Sequence, residues 1–239
     1  MIFCKAPVAG WVKTRLMTAL TAEQSMRVHI ELAQRTLQLA ADSRLFPIQL
    51  WCAPTTDHAF FTEAAQSYPV TLMQQQGDDL GERMHNAFCR AFDNYSRALI
   101  IGCDCPSLTA QDLEAAITAL NPIAAIEHSK IPFALPLRLC SGLKALSKGG
   151  RDFGMLNKWA DTQCVLAPAE DGGYVLIGLN QPQPELFDNM PWGTAQVLEQ
   201  TRARIKRHSL RHHELKLQWD VDTPADLARY RADLGSSQK

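Results

Sequence analysis

Residues Ala98-Leu99-Ile100-Ile101-Gly102 form an apolar run of strand length that ends in Cys103-Asp104-Cys105-Pro106. An apolar run of this length predicts a strand. Pro106 has no backbone N–H to donate, so it ends the ladder. The run therefore delivers one carboxylate, Asp104, to the carboxyl end of a strand, where ligands bind in open α/β sheets. A carboxylate there either caps the next helix or holds a divalent cation and, through it, a diphosphate. Strand alternation turns Cys103 and Cys105 to the face opposite Asp104, where they serve as small buried fillers.

The pattern around this run alternates strand with helix. Ile2–Cys4 reads as a short first strand. Thr21 and Gln24 form a capping box, and Met26, Ile30, Ala33, Leu37 and Ala40 then recur at helical spacing. Strands follow at Ile48–Ala53 and Val70–Met73, with a helix between them over about His58–Ser67. A helix after Gly81 presents Met84, Ala87, Phe88 and Ala91 on one face, and another runs over Thr109–Leu120. Later come strands at Val165–Ala167 and Tyr174–Leu179 and a helix from Thr194 to about His208. A late strand carries Leu215 and Leu217 and ends at Trp219-Asp220. Thr223, Pro224 and Asp226 then supply the N-cap, N1 and N3 of a last helix. This rhythm predicts an α/β fold with a mainly parallel sheet and helices on both faces.

With 239 residues, the chain can form one large domain or two small ones. No linker divides it, so a single domain over 1–234 is expected, interrupted by a segment at about 121–163. That segment holds Pro122, Pro132, Pro136 and Gly149-Gly150, leans basic, and has room for a short helix near Leu139–Ser147. A net charge of −1 gives no bulk attraction to nucleic acid or acidic membranes. No apolar run reaches the roughly 18 residues that would span a bilayer. The seven cysteines form no C-x-x-C pair, which argues against a zinc motif or a disulfide framework and for a reducing, cytoplasmic setting.

Four further stretches carry chemistry. Lys5 to Leu16 links the first strand to the first helix, the usual place of a phosphate cradle. Gly10 permits close backbone approach, while Lys13 and Arg15 supply charge, although the stretch also reads as a solvated basic loop. Gln76–Met84 makes a second strand-to-helix turn, with Gly81 at the turn and Arg83 as a third cation, and Asp78 and Asp79 suit a helix start. Glu170 and Asp171 precede Gly172-Gly173, an arrangement that serves a general base or sugar-hydroxyl clamp, or a hairpin turn. Asp220-Val221-Asp222 is a D-x-D whose carboxylates point to opposite faces if the chain is extended, so that one faces the site and the other caps the last helix. The cations of 202–213, Arg202 through His213, suit a solvated helix end.

In this order the pieces resemble a bacterial family of glycosyltransferase-like proteins with the glycosyltransferase-A (GT-A) fold, within the nucleotide-diphospho-sugar transferase superfamily. Its members carry F-A-K-x-P-x-x-G-x-V-K-T-R-L, G-D-L-G-x-R-M, G-S-D-C-P-x-L, A-x-E-D-G-G-Y-x-L-I-G-L, P-W-G-T and D-V-D-T-P-x-D-L. The matching stretches here are Phe3–Leu16, Asp79–Met84, Gly102–Leu108, Ala167–Leu179, Pro191–Thr194 and Asp220–Leu227. The resemblance implies a GT-A, Rossmann-like sheet and a metal-dependent enzyme using a nucleotide-diphosphate sugar donor and an unidentified acceptor. It also implies, as alternatives, a nucleotidyltransferase that releases pyrophosphate or a nucleotide-binding protein without turnover. On this resemblance Asp104 would bind Mg²⁺ or Mn²⁺, with Asp220 or Asp222 completing the site. Lys5, Lys13 and Arg15 would hold phosphates, with Gly10, Gly81 and Arg83 shaping the cradle. Glu170 and Asp171 would face the second substrate. This chain departs from the pattern at Trp11, where members carry a basic residue, and in having little chain before its first strand. Its segment 121–163 stands where members have a short turn.

Because helix 109–120 and strand 165–167 already complete an αβ connection, and loop-closure entropy grows only logarithmically with length, the segment should be dispensable for folding. Replacing Pro122 to Trp159 by a short Gly/Ser turn should leave one cooperative unfolding transition in calorimetry. A chain that no longer folds would place the segment in the core.

Overall fold

A computed structural model describes residues 1–120 and 162–236. The short helix expected near Leu139–Ser147 lies outside the described residues. Seven strands form one sheet: β1 (Ile2–Lys5), β2 (Ile48–Ala53), β3 (Val70–Gln74), β4 (Ala98–Gly102), β5 (Cys164–Pro168), β6 (Tyr174–Leu179) and β7 (His212–Glu214), in the order β3-β2-β1-β4-β6-β5-β7. β6 runs antiparallel to β4 and β5, and every other pairing is parallel. All strands but β6 thus end at the same edge, and the loops after β1, β3, β4, β5 and β7 gather there.

Each helix begins where local chemistry starts it. Thr21 and Gln24 exchange capping bonds at α1 (Ala22–Ser43). His58 Nδ1 accepts from Phe60 N–H at α2 (Ala59–Ser67), and Asp79 accepts from Glu82 N–H at α3 (Leu80–Phe92). Thr109 and Asp112 form a second capping box at α4 (Ala110–Ala119). α5 covers Val197–Arg207. At α6 (Pro224–Ser236) the Thr223 hydroxyl accepts from Asp226 N–H while the Asp226 carboxylate accepts from Thr223 N–H.

The sheet is buried on both sides. One core layer joins α1, α2 and α4 to Ile2, Leu50, Leu99 and Ile101. The other joins α3 and α5 to Trp51, Ile100, Leu166 and Ile177. Every residue of β4 except Gly102, and every residue of β5, is buried, which accounts for their unbroken apolar runs. A third cluster, with Leu16, Leu32, Val221 and Tyr230, seats α6 and the loop after β1 against α1. Among the described residues no helix is long and apolar enough to cross a membrane.

The late strand lies elsewhere than expected. Leu215 and Leu217 do not alternate within a strand ending at Trp219-Asp220. The strand is β7, His212–Glu214, and the chain rejoins the sheet only at Gln218, in a bridge with Ala169. Leu215 N–H still donates to Leu166 O at 2.8 Å. The next regular donor would be residue 168, a proline, so the ladder breaks there. The chain slips by one residue, so that Gln218 N–H, rather than that of Leu217, reaches Pro168 O. Leu217 is left 60% exposed.

Gly81 lets α3 lie flush against the segment before α5: a Cβ there would sit 2.6 Å from Phe187 O and 2.7 Å from Trp192 Nε1. Gly81→Ala should therefore cost about 1–3 kcal/mol despite its better helix propensity. Denaturant unfolding reads this directly, and a neutral or stabilised variant would contradict the close packing.

Candidate active site

The loop after β1 starts the site. Ala6 N–H donates to Ala53 O, and Trp11 N–H to Val8 O. Gly10 takes φ 82°, and Lys13 is left-handed at φ 49°. Val12 and Leu16 are buried on either side of Lys13, which anchors the loop and aims the Lys13 side chain inward. Its ammonium lies 2.8 Å from Asp104 Oδ2 and 3.3 Å from Asp222 Oδ1, and the side chain is only 5% exposed. Arg15, on the solvent side, donates to Asp222 Oδ2 at 2.7 Å.

A second anchor brings in the D-x-D segment. The Ser107 hydroxyl donates to Gln218 Oε1 and accepts from Trp219 N–H, and Val221 N–H donates to Asp104 O. Val221 is buried, and residues 219–222 belong to no strand. The expectation that Asp220 and Asp222 point to opposite faces is thus corrected. Each offers a carboxylate oxygen, with Asp104, in a group whose ligand atoms all lie within 4.8 Å of one another. Thr223, not Asp222, caps α6.

These charges set the protonation of the site. Burial alone would weaken the Lys13 ammonium, but Asp104 and Asp222 outweigh it and hold its pKa well above the usual lysine value. Burial would likewise raise Asp104, and Lys13 instead keeps it below the ordinary carboxylate range. Asp220 has no ion pair among the described residues. Its carboxyl is pushed up to about 7, first by burial and then by Asp104, Asp171 and Asp222.

Two cavities meet at this edge. The first, about 330 Å³, is lined by Lys5, Lys13, Arg15, His29, Gln75 and Asp104 among others. The second, about 250 Å³, is walled largely by apolar side chains, including Met84, Tyr174 and Trp192, with Asp171 and Thr194 on its rim. Phe3, Arg15, Leu80, Gly102 and Asp222 line both.

The remaining sequence candidates divide. Lys5 lines the first cavity, and Asp171 lines the second while accepting from Gly173 N–H. The Asp171–Gly173 stretch is the turn of the β5–β6 hairpin, closed by Ala169 N–H on Gly173 O. Glu170 instead pairs with Arg229 of α6, at 2.9 and 3.1 Å, and Arg229 stacks on Trp219 at 4.2 Å. Arg83 donates to Gly77 O and braces its own turn, and neither it nor Gly81 lines either cavity. Arg202 pairs with Glu214, and Arg204 binds the carbonyls of Glu185, Asp188 and Asn189, so both serve structure. Sequence reasoning missed His29, Gln75 and Trp192. Of these only Trp192 lay in a motif, the P-W-G-T stretch.

The family model described as an uncharacterized protein conserved in bacteria (DUF2064) matches residues 36–128 and 154–194, more than half of the chain. The chain belongs to this family. The match skips 129–153, within the long segment after α4. No curated protein matches it in sequence. Among solved structures, one from Desulfovibrio desulfuricans described as a "putative nucleotide-diphospho-sugar transferase" is 28% identical, with a TM-score of 0.69, over 95% of this chain and 82% of that one. The 4-diphosphocytidyl-2C-methyl-D-erythritol synthase of Anaerococcus prevotii superposes with a TM-score of 0.55 at 7% identity, over 98% and 95% of the two chains, a likeness of fold alone. The sheet is of the nucleotide-diphospho-sugar transferase type, as its motifs implied.

Asp220 gives the site a signature in stability. An unfolded Asp titrates near 3.8, whereas this one titrates near 7. Between those values the folded chain keeps a proton that the unfolded chain has released, so stability falls with rising pH, by up to about 1.4 kcal/mol per unit, and levels off above 7. Asp220→Asn removes this loss. The variant should match the parent near pH 4 and exceed it at pH 8 in denaturant unfolding. An equal difference at both pH values would refute the raised pKa.

Proposed function

We propose that this protein is a metal-dependent transferase that takes a nucleotide-diphosphate sugar in the first cavity and passes the sugar to an acceptor in the second. The observation that carries this reading is the clustering of Asp104, Asp220 and Asp222 within 4.8 Å, facing Lys13 and Arg15 at one sheet edge. The likeness to the Desulfovibrio protein supports it.

The oxygen set fits a hard divalent ion. Three carboxylates without sulfur or nitrogen suit Mg²⁺ or Mn²⁺. The raised pKa of Asp220 marks a carboxylate whose charge the chain itself leaves uncompensated. Mg²⁺ or Mn²⁺, when bound there, supplies positive charge against the departing diphosphate.

The chain's own groups do the rest. Lys13 and Arg15 donate charge-assisted hydrogen bonds to phosphate oxygens, exchanging part of their present carboxylate pairing for the ligand. Lys5, at the exposed end of β1, adds a third cation to the same cavity. Asp171, on the rim of the second cavity, is placed to accept the proton of an acceptor hydroxyl. Glu170, held by Arg229, steadies that turn against α6 rather than meeting substrate.

Titration calorimetry tests the phosphate assignment. Lys13→Ala and Arg15→Ala should weaken a nucleoside diphosphate roughly tenfold or more, since each charge-assisted bond is worth about 1.5–3 kcal/mol, and leave the bare nucleoside unchanged. Equal losses for both ligands would remove these residues from phosphate recognition. The product left by a turned-over donor decides the chemistry: a nucleoside diphosphate supports glycosyl transfer, whereas pyrophosphate released from a nucleoside triphosphate would overturn it in favour of nucleotidyl transfer.

A further inference from the structure

Beneath the carboxylates lies a second group of ligand-type side chains that the proposed reaction does not use. Cys4 stands near the end of β1, Cys103 directly follows β4, and His29 lies on α1. β1 and β4 are neighbours in parallel register, with Ile2 opposite Ile101 and Phe3 opposite Gly102, so the same register sets Cys4 beside Cys103. The His29 ring reaches them from the helix that covers β1, with Nε2 3.8 Å from Cys4 Sγ. One ligand atom from each of the three residues lies within 4.8 Å of the others. All three are at most 6% exposed, yet all three line the wall of the 330 Å³ cavity.

We infer that Cys4, His29 and Cys103 form a second metal site, for a thiophilic divalent ion of the zinc class, with its fourth coordination position open to the cleft. Two sulfurs and one imidazole nitrogen are the donor set that zinc prefers over magnesium, and three protein ligands with one open position mark a site that admits a further ligand. Charge balance favours it. Two thiolates and a neutral imidazole around a divalent ion sum to zero, so the assembly can be buried without a counter-ion. Without metal, His29 Nε2–H donates to Lys5 O at 2.9 Å, which keeps the buried group satisfied. Binding moves that proton to Nδ1 and releases the two thiol protons to solvent, so ligation requires no oxidant or reductant. The C-x-x-C spacing that usually announces such a site is missing because its ligands come from two strands and a helix.

The test uses the reduced, full-length protein freed of metal. Titration with Cd²⁺ should produce a thiolate-to-metal charge-transfer absorption that saturates at one ion per chain and is abolished by added Zn²⁺. Cys4→Ser and Cys103→Ser should each lose the band. Asp222→Asn, in the oxygen cluster, should keep it. Absence of the band in the parent protein would overturn the site. So would a band that survives both cysteine changes and disappears in His85→Ala, because Cys89 lies 3.5 Å from His85 Nε2 and offers a competing pair. Should the serine variants fail to fold, X-ray absorption on the unaltered zinc-loaded chain decides. Two sulfur neighbours at about 2.3 Å support the site, and an all-nitrogen and oxygen shell rejects it.

Discussion

Three carboxylates crowded at one sheet edge repel one another, and Lys13 is what makes their arrangement tolerable. Its ammonium bridges Asp104 and Asp222 from a side chain that is nearly sealed from water. Much of the surrounding structure serves this placement. Lys13 takes a left-handed backbone conformation, a strained choice for a lysine. That conformation persists because Val12 and Leu16 are buried on both sides of it. Leu16 in turn packs with α1 and α6 in the third core cluster. The D-x-D segment reaches the same point only because Ser107 and the Asp104 carbonyl hold its backbone. The compensation stops short of Asp220, whose carboxyl is therefore pushed up to about 7 and holds its proton below that pH.

The sheet explains why one edge carries two chambers. Parallel strands converge their carboxyl ends, and the loops after β1 and β4 build the chamber around Lys13 and Asp104. The reversal at β6 changes the neighbouring half. Because β6 runs the other way, the β5–β6 hairpin turn projects at this edge and carries Asp171 to it, while Tyr174, Val175 and Ile177 of β6 supply an apolar wall. The two pockets thus share Asp222 and Arg15.

What was legible in the sequence was whatever short-range chemistry determines. The capping residues of α1, α3, α4 and α6 lie within three residues of their partners, and the unbroken apolar run of β4 records burial on both faces. The clustering of Lys13, Arg15 and Asp104 was also readable, since Asp104 stands beyond one strand end and Lys13 and Arg15 lie in the loop after another. Long-range pairing was not. Glu170 meets Arg229 fifty-nine positions away, a partner no local pattern announces. The misplaced late strand turned on Pro168, a residue of the neighbouring strand rather than of the segment itself. The two aspartates of the D-x-D segment looked opposed because alternation was assumed, whereas a backbone bond to Asp104 turns both inward.

Two neighbouring residues nevertheless set the deeper organisation of the cleft. Cys103 and Asp104 follow one another directly after β4. The carboxylate joins Asp220 and Asp222, and the thiol joins Cys4 and His29. Hard oxygen donors and soft sulfur and nitrogen donors are therefore sorted between two adjacent residues at one strand end. Metal ions discriminate between such sets by ligand type more than by raw affinity. Magnesium has little to gain from two thiols and an imidazole, and a zinc-class ion in the inferred site would leave the carboxylates free for a hard ion. The sorting needs no separate domain and no sequence motif. It follows from an Asp and a Cys being adjacent at the end of one buried strand.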